Sequence, residues 1–202
     1  MKVRLFILII GIAFCACEED YTPKERAYAR IELPAPSYIS PSIETWDCPY
    51  YFEASNQSFL TIDKRHQNEN CWYNLYYPRY KATLHLTYSE VADDLATQIE
   101  DNRTLAMKHV GKATAINESR VQNDSARVYG LIYEFKGATA SDMQFFVTDS
   151  AAHFLRGSLY FNVKPNKDSL APVIDYIKAD IRHMISTLVW TDHDSSSVEA
   201  TK

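Results

Sequence analysis

Residues 81–111 read KATLHLTYSEVADDLATQIEDNRTLAMKHVG, and the change of period inside this stretch decides the fold class. Ala82, Leu84, Leu86 and Tyr88 alternate with Thr83, His85 and Thr87. Period-two alternation is the mark of a half-buried strand. From Val91 the apolar positions instead fall at Val91, Leu95, Ile99, Leu105 or Ala106, and Val110, which is helical spacing. Ser89 is placed to cap that helix and Gly111 to end it. One strand running into one amphipathic helix, in a chain with further strands on both sides, points away from all-α and all-β folds.

Upstream, residues 48–54, 59–63 and 71–77 are aromatic-rich and strand-like, with a polar loop at 63–70 and Pro78 stopping the last run. Downstream, residues 127–135, 143–148 and 153–163 read as three more strands, joined by turns at 137–141 and 149–152. A second helix is expected over 169–190. There Leu170, Val173, Ile174, Ile177, Ile181, Met184, Ile185 and Leu188 form one stripe, Asp168 or Ser169 suits the N-cap, and Pro172 is tolerated in the first turn. The expectation is an α+β domain: a mainly antiparallel sheet of about six strands with two long helices packed on it.

The N-terminus carries a different signal. Lys2 and Arg4 precede an apolar run from Leu5 to Phe14, and Ala16–Cys17 leads into Glu18, Glu19 and Asp20. A basic head, a short apolar core and a small-residue exit form a secretory signal. The run is too short for a spanning helix, which needs about 20 residues. Ala16–Cys17 resembles the lipobox of bacterial lipoproteins. Phe14 replaces the usual aliphatic residue, and Cys15 is a poorer candidate because Phe14 would directly precede it. The resemblance implies a diacylated, N-acylated Cys17 bearing palmitate-type chains. At about 0.8 kcal/mol per buried methylene, two or three chains hold a domain stably on a bilayer.

The expected organisation is a signal peptide over 1–16, a lipid-anchored extended arm over 17–45, one domain over 46–191 and a polar tail over 192–202. Pro23, Pro34, Pro36 and Pro41 forbid a long helix in the arm. Ile31, Leu33 and Tyr38 mark a part of it that packs on the domain. Setting aside Lys2 and Arg4 lowers the 21 basic side chains to 19, against 26 acidic ones, a balance of about −7. Nucleic acid is not the expected partner, since phosphate binding relies on a basic footprint.

Beyond the signal two cysteines remain, Cys48 and Cys71. In an oxidising compartment they are a disulfide candidate; two buried free thiols are the alternative. No hydrolase elbow, zinc-protease, P-loop or dinucleotide motif occurs. The histidines lack the spacing of a metal site, and adjacent acids such as Asp93–Asp94 diverge by about 100° on a helix. No catalytic residue, metal or cofactor is expected. Tyrosines crowd residues 50–88. Core packing explains them, and so does a protein-binding surface, for which Tyr50, Trp72, Tyr77 and Tyr80 are the candidates.

Ten segments in order carry a resemblance over essentially the whole mature chain. They are EDYTPK at 19–24, RIELP at 30–34, DCPY at 47–50, CW at 71–72 and YPRYKATLHL at 77–86. VYG at 128–130, QFFVTDS at 144–150, HFLRGSLYF at 153–161, PN at 165–166 and DSLAPV at 168–173 complete it. This pattern resembles the gliding motility lipoprotein GldD family of Bacteroidota. The resemblance implies a non-enzymatic component or assembly factor of the gliding machinery and the linked type IX secretion system. Its implied partners are other envelope proteins of that machinery, lipoproteins among them. The implied place is the cell envelope, with the outer membrane facing the periplasm as the expected address. An envelope module for a ligand or glycan is the alternative. Asp124-Ser125-Ala126, Asp149-Ser150-Ala151 and Asp168-Ser169-Leu170 also resemble the short O-glycosylation signal of exported Bacteroidota proteins. Ser125 is the first choice because it falls in an expected exposed loop.

Overall fold

The computed structural model describes residues 31–41, 48–62, 71–92, 94–162 and 167–191. The expected signal peptide, Cys17, the first part of the arm and the tail from 192 lie outside the described residues. So do the side chains of 167–169.

The central feature is a seven-stranded antiparallel sheet in the order β4-β5-β6-β10-β9-β8-β7. Its strands are β4 (Phe59–Ile62), β5 (Tyr73–Tyr77), β6 (Ala82–Glu90), β7 (Ala113–Asn123), β8 (Val128–Gly137), β9 (Ser141–Thr148) and β10 (His153–Phe161). Two meanders, β4 to β6 and β7 to β10, join where β10 pairs with β6, Arg156 standing opposite Thr87. Helix α1 (Leu95–Met107) connects them, and α2 (Lys167–Ser186) follows β10. The α+β class with a mainly antiparallel sheet is therefore observed.

The helices cover opposite faces. Val173, Ile177, Ile181, Met184 and Ile185 of α2 pack with Leu84, Leu86, Phe145, Leu155 and Leu159. Ala106 of α1 packs with Tyr133, Phe135, Phe146 and Phe154 on the other face. Neighbours Phe145 and Phe146 thus serve different cores, as strand geometry dictates. β9 is buried along its whole length, which is why it shows no alternation.

Several local expectations change. β7 falls where no strand is expected. It pairs along its length with β8 but lies at the sheet edge, with both faces largely in water, so ATAINESRVQN carries no apolar period. Residues 48–54 do not make one strand. They divide into β2 (Tyr50–Tyr51), which pairs with β11 (Val189–Trp190), and β3 (Ala54–Ser55), which pairs with β1 (Tyr38–Ile39). Helix α1 is capped by Asp94 rather than Ser89, its carboxylate accepting from Thr97 N at 2.9 Å. Helix α2 stops at Ser186, four residues early. The Thr187 hydroxyl stands 3.1 and 3.2 Å from the His183 and Met184 carbonyls, and the chain turns into β11.

Residues 31–41 lie along the α2 face. Besides the β1–β3 pairing, Asn56 N donates to Ser37 O at 2.9 Å and an Arg79 guanidinium nitrogen donates to Glu32 O at 3.0 Å. Leu33 packs on the core while Ile31 stays exposed.

Candidate functional site

Three of the four candidate interaction aromatics are core side chains. Tyr50 is 0% exposed, Tyr77 1% and Tyr80 7%. Tyr50 stacks between Phe52 and Tyr88 and donates its hydroxyl to Cys71 O at 3.1 Å. Burial drives the phenols of Tyr50 and Tyr77 far above their ordinary range, so neither ionises. Tyr77 shares the inner face of β5 with Tyr73 and Leu75, Tyr50 lies in β2 and Tyr80 ends the short 3-10 turn 78–80, and all three pack into the core cluster that α2 covers. Trp72 alone sits on the opposite face, half-buried, its indole N–H donating to Tyr88 O at 3.0 Å.

Cys48 and Cys71 are joined in a disulfide with Cα atoms 5.5 Å apart. The bridge ties the start of β2 to the start of β5. Cys71 sits at φ 64°, and the Tyr73 hydroxyl lies 3.6 Å from Cys48 Sγ. Ser125 is exposed at the β7–β8 turn, its hydroxyl donating to Asn123 Oδ1 at 2.8 Å.

The described histidines do not converge. His85 Nδ1 lies 2.5 Å from Asn74 Oδ1, and His109 Nε2 lies 2.9 Å from Gln144 Nε2. His153 Nδ1 meets the Tyr88 hydroxyl at 2.8 Å and its ring stacks on Trp190. His183 Nε2 lies 2.7 Å from Glu53 Oε2. Burial and then the Arg156 charge lower the pKa of His109, keeping that ring neutral. Among the described residues no three His, Cys, Asp or Glu side chains gather where a metal would sit.

Two constellations stand out that sequence reasoning missed. The first lies under the arm. Asp180 of α2 is 2% exposed, and neither carboxylate oxygen has a hydrogen-bond partner. Burial raises its pKa; the Ser55 and Tyr38 hydroxyls and His183 pull the other way without reaching hydrogen-bond geometry. The Tyr80 and Tyr176 hydroxyls nearby are equally sealed and unpartnered. Over them Tyr38 stacks on His183, centroids 3.5 Å apart. This cluster lies where residues 31–41 meet α2, and Tyr38 of the arm is one of its members. The signal was present in sequence: Asp180 is three residues past Ile177, inside the apolar stripe.

The second is a cleft of about 180 Å³ between α1 and the sheet. Arg156 and Thr87 form its floor, Trp72 one wall, Gln98 and Asp101 the other, and Phe154 one end. Arg156 is largely buried, which lowers its pKa. Its one hydrogen bond is a long one, from a terminal nitrogen to Gln144 Oε1 at 3.5 Å, and its Nε is sealed without an acceptor. Among the described residues no carboxylate lies within ion-pair distance of it. Gln98 donates to Glu90 O at 2.9 Å, but its own Oε1 is sealed without a donor. Buried polar groups are nearly always satisfied, so two orphans on one cleft require an explanation.

Residues 18–190 of the chain match the family model described as gliding motility lipoprotein GldD. No curated protein matches the chain. Among solved structures, the solution structure of cyanobacterial PsbP (CyanoP) from Synechocystis is similar at 13% identity and a TM-score of 0.42, over 77% of this chain and 96% of that one.

Proposed function

The chain belongs to the gliding motility lipoprotein GldD family, and from that membership we propose that it acts as a non-enzymatic component or assembly factor of the gliding machinery and its linked type IX secretion system. The observation that carries this reading is the extent of the family match. It runs from residue 18, the position after Cys17, to residue 190 at the end of the folded domain. Acyl chains on Cys17 anchor the protein in the envelope, at the outer membrane facing the periplasm. Among the described residues no helix is long and apolar enough to cross a membrane. The described part of the arm, residues 31–41, lies along α2, and other envelope proteins of the machinery, lipoproteins among them, are the partners. O-glycosylation at Ser125 would decorate the exposed β7–β8 turn.

Deleting the coding sequence should abolish surface spreading and type IX secretion, and the wild-type chain should restore both. Cys17→Ser should lose palmitate labelling and fail to restore them. A deletion strain that spreads and secretes normally would sink the reading. The ligand-module alternative would be favoured by a pocket lined by the strand aromatics Tyr50, Trp72 and Tyr77. Tyr50 and Tyr77 are instead solid core, and what remains of that alternative is the Trp72–Arg156 cleft.

A further inference from the structure

The Trp72–Arg156 cleft holds two unmet demands of opposite sense. Arg156 is a half-buried guanidinium whose Nε is sealed without an acceptor, and among the described residues no carboxylate pairs with its charge. A desolvated charge without a counter-ion is costly, and a planar guanidinium is matched best by a planar, bidentate oxyanion. Gln98 Oε1 asks for a hydrogen-bond donor on the same cleft. The cleft therefore suits a ligand carrying an oxyanion with an N–H or O–H close beside it.

Charge and size narrow the class. Asp101, exposed on the rim, is the one acid among the described residues lining the cleft, and it disfavours a second negative charge on the ligand. That selects a monocarboxylate over a phosphate dianion. The cleft has a volume of about 180 Å³ and opens to solvent. It admits one terminal peptide unit, acyl-amide plus carboxylate. Trp72 and Phe154 supply an apolar wall against which such a unit lies flat.

We propose that this cleft is a binding site for the C-terminal carboxylate of a peptide chain. Arg156 takes the carboxylate and Gln98 accepts the terminal amide N–H, each by a small side-chain rotation that relieves its orphaned atom. This adds a ligand site to the domain and does not rest on the motility reading, because it is measured on the isolated protein.

The test is a titration of the full lipidated chain in detergent with N-acetylglycine, following the arginine Nε–H and tryptophan indole signals by NMR. Saturable shifts at Arg156 and Trp72 are expected. N-acetylglycinamide, which lacks the carboxylate, should bind at least tenfold more weakly. Arg156→Met should weaken N-acetylglycine at least tenfold. Gln98→Ala, which removes the acceptor without placing a charge beside Arg156, should do the same and stands in if Arg156→Met does not fold. Inorganic phosphate or glucuronate binding as tightly as N-acetylglycine would overturn the proposal. So would N-acetylglycine binding that is absent, or unchanged in the folded variants.

Discussion

Two buried aspartates show how environment, not residue type, sets chemistry. Asp149 turns the corner between β9 and β10. Its Oδ1 accepts the backbone N–H groups of Ala151, Ala152 and His153 at 2.9, 2.8 and 2.9 Å. Burial alone would raise its pKa, but those three bonds and the nearby His153 hold it below the ordinary value. The folded state thus binds that proton less readily than the unfolded chain. The stabilisation is present above the ordinary carboxylate pKa and is lost as pH falls through the depressed one. Asp149→Ala should cost about 1.5–3 kcal/mol in urea unfolding at pH 7, and Asp149→Asn, which keeps one acceptor, less. Asp180 runs the other way. Its raised pKa means the folded state holds the proton more readily, so its carboxylate costs stability at neutral pH and the cost fades as pH falls through the raised value. The groups facing it are the phenols of Tyr38, Tyr77, Tyr80 and Tyr176, with His183. Asp180→Asn should raise Tm by a few degrees at pH 7, with the gap to wild type closing toward pH 4. A variant less stable than wild type at pH 7 would mean the carboxylate is matched by a partner.

Elements owe their limits to partners remote in sequence. The Cys48–Cys71 bridge holds the starts of β2 and β5 together across 23 residues of separation. Closing a loop of that length lowers the entropy of the unfolded chain by an amount worth about 3 kcal/mol. Cys48→Ser with Cys71→Ser should therefore lose about that much in equilibrium denaturation, and dithiothreitol should bring the wild type to the same midpoint. Loss of Tyr50 packing would add to the effect, since its hydroxyl bonds the Cys71 carbonyl. The two-residue strands β1, β2, β3 and β11 exist only as pairs, and each pair joins segments that no local pattern connects. β7 is the same case at greater length. Its residues have no reason of their own to be extended, and the ladder to β8 supplies it.

Across the molecule, β9 links the two hydrophobic clusters, Phe145 facing α2 and Phe146 facing α1. Gly157 makes room for the first. A Cβ there would lie 2.0 Å from the Phe145 ring, so the ring lies directly on the β10 backbone. Phe145→Ala should cost about 3–5 kcal/mol. Because one strand serves both cores, tryptophan fluorescence and far-UV circular dichroism should still lose signal at one midpoint; separate midpoints would mean that the faces unfold independently. Sequence alone carried the α+β class, both long helices and the spans of β5, β6, β8, β9 and β10: most of these bury one face and so carry a period, while β9, buried on both, reads as the apolar run 145–147 between two turns. It carried the family through ordered segments from residue 19 to residue 173, and it offered Cys48 and Cys71 as a pair. Tertiary structure decided the rest. It drew Tyr50, Tyr77 and Tyr80 into the core, because strand alternation tells which residues share a face but not which face a helix will cover, and the turn that carries Tyr80 has no period at all. It made β7 a strand through its neighbour. It placed Arg156 beside Gln98 and Asp180 beside Tyr38, since a buried charge is recognised by what surrounds it, and those surroundings are assembled only when distant segments meet.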